Sequence, residues 1–137
     1  MTFTNRDRLR RRLKAVPVAA RRALRAQNAK NAAELVATIK RFAPDAEPTG
    51  ALESSIRHQD VSDSTRISQR VEAGGKATTR PVRDGASATY DYALGQEFGT
   101  EDMPANPFFW PAWRLLRRRF KSRMTRAAKK AIAGAVQ

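Results

Sequence analysis

The stretch EFGTEDMPANPFFWPAW, residues 97–113, decides how this chain can fold. Its glycine permits a turn that other residues resist, and its three prolines remove backbone freedom. It also holds five of the ten aromatic side chains in the chain. A stiff backbone with this much apolar surface predicts an anchored corner, here called the aromatic corner, which positions the residues that follow it.

The aromatic side chains of this corner are too crowded to share one small interior. Four large rings fall within residues 108–113, and burying each would contribute roughly 2–3 kcal/mol. We expect Phe98 and Phe108 inside the domain and Trp110 or Trp113 against a neighbouring subunit, because exposed aromatic side chains favour a partner. The alternative is that the whole corner only locks the last helix to the sheet within one subunit.

Two long helices are predicted outside this corner. In residues 5–42, apolar side chains recur at spacings of three and four, which lines one face of a helix. Pro17 lacks the N–H that would bond to Leu13, so a kink or a fresh start is expected there. A second helix is predicted over residues 111–136, and the Asn106-Pro107 pair before it has the form of a helix cap and a first-turn proline.

Short strands are predicted in the centre of the chain. Residues 51–58 and 66–73 alternate apolar and polar side chains with a period of two, which is typical of strands. Gly74-Gly75 and Asp84-Gly85 are predicted hairpin turns. Residues 87–98 contain a third apolar stretch that fits either a strand or a short helix.

Together these patterns predict an α+β fold: a long N-terminal helix, a small antiparallel sheet of two to four strands, and a long C-terminal helix packed on the sheet. The length suits one compact domain over residues 1–137. Residues 1–15 are either the start of the first helix or a flexible basic extension. No apolar run approaches the roughly 18 residues that a membrane span needs, so we expect a soluble intracellular protein.

The charge is concentrated at the two ends of the chain. The net charge of +14 divides into +9 in residues 1–33, +9 in residues 114–137 and −4 in residues 34–113. Basic clusters of this kind attract phosphate backbones and acidic protein surfaces. The alternative is a solvated basic face that only keeps the protein in solution.

No group of residues predicts catalysis. There are no cysteines, which excludes disulfides, thiolate metal sites and cysteine nucleophiles. The single histidine, His58, has only Asp60 near it in sequence, which makes neither a metal site nor a catalytic triad. The AGGK run at 73–76 lacks the other residues of a phosphate-binding loop, and the Glu101-Asp102 pair is expected to cap a nearby helix. We therefore predict a protein that is not an enzyme and needs no metal or other cofactor.

Three separated motifs occur in order along the chain. They are APDAEPTGALESSI at 43–56, YALGQEFGT at 92–100 and MPANPFFWPAW at 103–113. In this order they resemble the tail-component family of long-tailed bacteriophages, small neck proteins that complete the junction between head and tail. The residues that carry the resemblance are Pro44, Thr49, Gly50, Leu52, Ile56, Tyr92, Glu97, Phe98, Gly99, Thr100, Pro107, Phe108 and Pro111.

Two features depart from the family pattern. The residues DAEP at 45–48 lengthen the usual short spacing between the first proline and the Thr-Gly pair, which affects a loop. Trp110 and Trp113 are bulkier than the residues expected there, a difference that would alter a subunit contact.

The resemblance implies a structural subunit that joins head to tail as a homo-oligomeric ring of six or twelve copies around the DNA channel. The implied partners are copies of itself, a head-side connector or stopper, a tail terminator or tail-tube protein, and packaged DNA without sequence preference, but no membrane. The implied location is the neck of a virion or phage-like particle, assembled in the bacterial host cytoplasm. Candidate contacts to DNA or to an acidic partner are Arg114, Arg117, Arg118 and Lys121.

Two other classes of function compete with this one. The first is a free-standing, sequence-independent nucleic-acid-binding protein, although the basic helices carry no recognised reading motif and no aromatic platform among the arginines. The second is a small enzyme acting on a polyanion, such as a nuclease. It would need clustered acids to hold a metal, and the basic ends have almost none.

Overall fold

The computed structural model describes residues 4–44 and 50–136. The motif residue Thr49 and the first three residues of the predicted basic extension therefore lie outside the described residues. The elements, in chain order, are α1 (Thr4–Phe42), α2 (Ala51–Ser55), β1 (Arg57–Asp60), β2 (Gln69–Glu72), a short 3₁₀ helix (Lys76–Thr78), β3 (Thr79–Pro81), β4 (Thr89–Asp91), α3 (Tyr92–Phe98) and α4 (Phe109–Val136).

The predicted α+β fold is confirmed. One long helix precedes, and another follows, two small antiparallel sheets of two strands each. Helix α1 matches the predicted range closely and continues through Pro17 without a fresh start. Pro17 removes one backbone hydrogen bond from a helix of 39 residues, and the bonds of the neighbouring turns keep the helix continuous. Helix α4 begins two residues before Pro111.

The prediction of a strand over residues 51–58 is wrong for its first part. The segment forms helix α2, and the strand begins only at Arg57. Leu52 and Ile56 are both buried, and their spacing of four suits one turn of a helix as well as alternate positions of a strand. The hydroxyl of Ser55 donates to the carbonyl of Leu52 (2.6 Å), a bond that helical geometry allows.

One predicted hairpin turn is confirmed and the other is wrong. Strands β3 and β4 pair in antiparallel register, and Gly85 turns the chain between them with a φ of +78°. Gly74 and Gly75 instead lead from β2 into the 3₁₀ helix, because β2 pairs with β1 and not with β3. Residues 87–98 contain both of the structures considered for them, since β4 is followed directly by α3.

The chain divides into two compact units. The first contains the chain up to Asn31, Asp60–Gln69 and the chain from Arg118 onward, and the second contains Ala32–Gln59 and Arg70–Arg117. Among the residues that the structure describes, the buried apolar side chains of the second unit are Ala32, Leu35, Ile39, Leu52, Ile56, Tyr92, Ala93, Phe108, Ala112 and Leu116. The second unit therefore holds most of the core, and it contains the whole aromatic corner.

In the first unit, two arginines of α1 hold the loop between β1 and β2. The Nε of Arg25 donates to Oδ2 of Asp60 (2.7 Å). The guanidinium of Arg21 donates to the backbone carbonyls of Asp63 and of Ser64, the latter at 2.7 Å. The loop is thus tied to the helix by backbone and side-chain acceptors together.

Hydrogen bonds in this region lower the pKa of two carboxyl groups, that of Asp60 at the end of β1 and that of Asp63 in the loop. Bonds from Ser62 lower the pKa of Asp60 from 3.8 to about 2, with a smaller contribution from Arg25. The hydroxyl and the N–H of Thr65 both donate to Asp63, and its pKa also falls from 3.8 to about 2. The loop is therefore built around ionised aspartates.

We predict that these two carboxylates make the stability depend on pH in the acid range. Because each pKa is lower in the folded chain than the ordinary 3.8, their contribution is present above that pH and is lost as the pH falls through about 2. As the pH falls from above 3.8 to about 2, the urea unfolding midpoint should fall less in the Asp60→Asn, Asp63→Asn double variant than in the unchanged protein. Glu101→Gln, which removes an exposed carboxylate outside the loop, is the control. Equal slopes for the double variant and the unchanged protein would contradict the prediction.

Candidate functional site

The carboxylate of Glu97 holds the start of helix α4. Its Oε2 accepts hydrogen bonds from the backbone N–H groups of Phe108 (2.8 Å) and Phe109 (2.9 Å), and its Oε1 accepts one from Trp110 (3.0 Å). Glu97 is buried in the last turn of α3. Three N–H groups that have no partner within the helix therefore meet one negative charge, an arrangement here called the Glu97 cap.

The Glu97 cap stands in place of the caps that the sequence predicted. Asn106 lies before the helix, and its N–H donates to the carbonyl of Gln96 (2.7 Å), while Glu101 and Asp102 are exposed. Pro111 is the third residue of α4. A backbone N–H at this position has no carbonyl partner within the helix, so the absence of an N–H on proline costs no helical hydrogen bond. The cap comes from a side chain that is distant in sequence, which no local pattern predicts.

Gly99 ends α3 and lets the chain approach itself closely. Its φ is +79°, and a Cβ at this position would lie 2.9 Å from the backbone nitrogen of Ala105 and 3.0 Å from the carbonyl oxygen of Met103. The N–H of Thr100 closes the turn by donating to the carbonyl of Met103 (2.8 Å). Glycine fits both this backbone conformation and this space, so the Gly-Thr pair of the motif shapes the corner.

A second carboxylate, that of Asp91, fixes the other end of α3. Its Oδ1 accepts from the N–H of Ala93 (2.9 Å) and from the hydroxyl of Thr78 (2.7 Å), and its Oδ2 accepts from the N–H of Gly75 (2.9 Å). A Cβ on Gly74 would collide with this carboxylate. Sequence reasoning missed Asp91, although an aspartate directly before an apolar helical segment is a recognised cap signal.

A largely apolar groove lies beside the Glu97 cap, within the second unit. Its volume is about 320 Å³. It is lined by β2 and the residue after it, by α3 and by the start of α4, through Val71, Glu72, Ala73, Ala93, Leu94, Glu97, Phe98, Phe108, Phe109 and Trp110. Leu94, Phe98 and Trp110 are 60%, 65% and 47% exposed. Large apolar side chains left open around a concave surface mark a place that a partner can cover.

The prediction that Phe98 lies inside the domain is wrong, whereas the one for Phe108 is confirmed. Phe108 is 1% exposed. Helix α3 turns Ala93 and Glu97, which are four residues apart, towards the interior. Leu94 and Phe98 each follow one position later on the same helix, so they share a face that is turned outwards. The pair could have been recognised from its spacing of four.

Both tryptophans are partly exposed, as expected for residues at the surface. Trp110 lines the groove, and its ring meets the ring of Phe109 edge to face, with the centroids 5.7 Å apart. Trp113 follows on α4 and is 38% exposed. The contact of either residue with a neighbouring subunit stays a prediction.

The four candidate basic residues all lie on α4 and are all exposed. They are Arg114, Arg117, Arg118 and Lys121. Their spacings of three, four and seven place them on one face of the helix, while the buried Leu116 and Phe120 belong to another face. This basic face can contact an anion, and its charge carries no sequence specificity of its own.

The remaining motif residues have structural places. Three of them are buried in the second unit: Leu52, Ile56 and Tyr92. Gly50 precedes α2 with a left-handed φ of +62°, while Pro44 is half-buried and Pro107 is exposed. The Glu97 cap joins the second and third motifs directly, because Glu97 belongs to the second motif and the N–H groups that it binds belong to the third.

Residues 4–44 and 50–136 contain no group of three or more histidine, cysteine, aspartate or glutamate side chains that could hold a metal ion. No helix within the same ranges has the length and apolar character needed to cross a membrane. Of the two carboxylates that line the groove, Glu97 accepts hydrogen bonds from backbone N–H groups and Glu72 forms an ion pair with Arg57. The expectation that the protein is not an enzyme stays a prediction.

We predict that Glu97→Ala lowers the free energy of unfolding by about 3 kcal/mol, because three N–H groups, one buried and two part-buried, lose their acceptor. Glu97→Gln keeps one acceptor oxygen and should cost about 1–2 kcal/mol. Urea denaturation measures both effects. Asp102→Asn, an exposed change in the same corner, should stay within roughly 0.5 kcal/mol of the unchanged protein. If Glu97→Ala behaves like this control, the cap does not stabilise the fold.

Comparison of the chain with protein-family models, with curated proteins and with solved structures found no match. We therefore infer the function from the groove, the charge distribution and the three sequence motifs.

Proposed function

We propose that this protein is a structural subunit of the neck of a phage or phage-like particle, where it forms a homo-oligomeric ring that joins head to tail around the DNA channel. The observation that carries the proposal is the exposed groove of the aromatic corner, which is held in shape by Glu97 and Gly99. The ordered set of three motifs, through its resemblance to the tail-component family, suggests the kind of particle.

A joining subunit benefits from a contact surface that is rigid before its partner arrives. In the aromatic corner the Glu97 cap, the close turn at Gly99 and three prolines restrict the backbone. Phe98 and Trp110 therefore lose less conformational freedom on binding than they would on a mobile loop. Aromatic side chains in a preformed groove are typical anchors of protein interfaces, which supports an adhesive role.

The distribution of charge also supports this role. The two ends of the chain carry +9 each, and the face of α4 that bears Arg114 and Arg117 is exposed. In a ring, such a face would meet the phosphates of passing DNA without reading bases, or the acidic surface of an adjacent ring. Either use needs only exposed positive charge.

The partners in this proposal are further copies of the chain, in a ring of six or twelve, together with a head-side connector or stopper and a tail terminator or tail-tube protein. The particle is a phage, a prophage-derived particle or a gene-transfer particle, and it is assembled in the bacterial cytoplasm. Joining is mechanical and uses no cofactor and no membrane.

We predict that Trp110→Ala leaves the isolated chain folded but prevents heads from joining tails. The side chain is 47% exposed, so its loss should disturb the fold little while removing an anchor from the groove. Trp113→Ala is the parallel variant at the second candidate contact. The measurement is the fraction of tailed particles seen by electron microscopy when each variant replaces the unchanged protein.

Leu115→Ala, which removes an exposed side chain from another part of α4, is the matched control and should give complete particles. Cryo-electron microscopy of the unchanged particles should show ring density for this chain at the head–tail junction. Complete particles from both tryptophan variants, or particles that are complete without the chain, would refute the proposal.

The exposed basic face of α4 also favours a second function, sequence-independent nucleic-acid binding by the free chain. If it binds phosphates, changing Arg114, Arg117 and Lys121 to Gln should reduce the steepness of log K against log salt concentration by about 0.9 for each phosphate that is no longer neutralised. Fluorescence anisotropy with two unrelated DNA duplexes measures this. Tight binding of both duplexes by the isolated monomer would favour the second function, and no measurable binding would exclude it.

A further inference from the structure

Strand β2 has one edge that β1 does not cover. The N–H of Val61 donates to the carbonyl of Ser68 (3.0 Å), which sets the register of the hairpin. The same register places Arg57 opposite Glu72, and their side chains form an ion pair (2.9 Å). In an antiparallel pair every second residue directs its N–H and C=O at the partner strand. Those of Ser68 and Glu72 face β1, so those of Val71 point away from it.

This uncovered edge forms one wall of the groove. Val71, Glu72 and Ala73 are consecutive, and all three line the groove. Because successive side chains of a strand point to opposite faces, three residues in a row border one groove when the edge of the strand faces it. Within the described part of the chain the sheet consists of β1 and β2. The N–H and C=O of Val71 are therefore presented to an additional strand.

Another part of the lining, here called the apolar wall, supplies apolar contacts. It is formed by Leu94 and Phe98 from α3 and Trp110 from α4, and all three are exposed. The side chains of an extended chain that lies along β2 would alternate between the two faces of the sheet, so every second one is available to the apolar wall. The volume of about 320 Å³ suits one or two large side chains, whereas a helix with its side chains is about 10–12 Å across. The shape therefore favours an extended segment over a helix.

Two arginines next to the groove, here called the basic rim, contact a carboxylate of its lining. Arg57 and Arg70 approach the lining residue Glu72 at 2.9 Å and 3.8 Å, and both arginine side chains are more than half exposed. The charge of Glu97 is engaged by the helix N–H groups, and Arg114 follows on α4 as an exposed residue. This excess of positive charge attracts an acidic occupant and repels the basic helix ends of a second copy.

We propose that the groove binds an extended, acidic peptide segment of a partner protein, which adds as a third strand to β2 and places an apolar side chain against Leu94, Phe98 and Trp110. The inference rests on the proposed function for the carrier of that segment, which is a neighbouring neck or tail subunit. Main-chain hydrogen bonds supply affinity, and the apolar wall and the basic rim supply selectivity.

The probe is an acetylated and amidated peptide of sequence Glu-Val-Glu-Phe-Glu-Val-Glu, carrying a fluorescent label. We expect the full-length chain to bind it, to bind it less tightly as salt rises, and to protect the N–H of Val71 from hydrogen exchange. The same peptide with lysine in place of glutamate should bind at least about tenfold more weakly. A peptide with alternate backbone nitrogens methylated, which cannot pair with β2, should bind as weakly.

Matched variants locate the site. Phe98→Ala should raise the Kd about tenfold or more, since truncating a central aromatic anchor commonly has this effect, while Leu115→Ala should bind like the unchanged protein. Val71→Pro removes the N–H at the uncovered edge without removing a bond to β1, and should abolish binding. Arg70→Glu leaves the backbone unchanged and should weaken binding of the acidic peptide, which keeps the test decisive if Val71→Pro does not fold.

Equal binding of the lysine peptide, or binding that leaves the N–H of Val71 unprotected, would overturn the inference. Self-association of the chain through the groove, in place of peptide binding, would overturn it in favour of a second copy as the occupant. The two proposals fail separately. Normal head–tail joining by both Trp110→Ala and Trp113→Ala, together with peptide binding by the unchanged chain, would remove the neck function. Loss of joining without any peptide binding would remove only the strand-addition inference.

Discussion

The second unit of this protein depends on one carboxylate that meets three backbone N–H groups. Helix α3 has seven residues, which is too short to be stable on its own. Its first turn is capped by Asp91, and its last turn carries Glu97, whose side chain reaches the start of α4. Both ends of α3 are therefore tied to other elements, and the bonds of Glu97 also hold the first residues of α4.

This way of stabilising the corner also creates its exposed surface. When Glu97 turns inwards to reach the helix N–H groups, the geometry of α3 turns Leu94 and Phe98 outwards. Phe108 fills the core next to the cap, and Trp110, two residues later, is left at the surface. The helix orientation that satisfies the buried and part-buried N–H groups thus leaves apolar side chains exposed to solvent beside a groove. Stability and a capacity for binding come from one arrangement.

The charges divide the chain in a way that suits assembly. The ends of the chain are strongly basic and the central residues 34–113 are mildly acidic. In the first unit, Asp60 at the end of β1 accepts a bond from Arg25 of α1, and Asp63 accepts bonds from its own loop, so part of the acidic charge is neutralised within the chain. The basic faces that stay exposed can then meet an anionic surface, whether DNA or protein.

The sequence by itself determined the two long helices, because apolar spacings of three and four repeated over many residues outweigh any local ambiguity. It also determined the turn at Gly85, since a positive φ there favours glycine. It left the helix before Arg57 open, because a spacing of four fits a helix and a strand alike. Only the tertiary structure decided that Glu97 caps a helix beginning about a dozen residues later and that Phe98 faces outwards. Both depend on how closely α3 and the start of α4 approach each other in space, and a pattern of neighbouring residues along the chain carries no information on that distance.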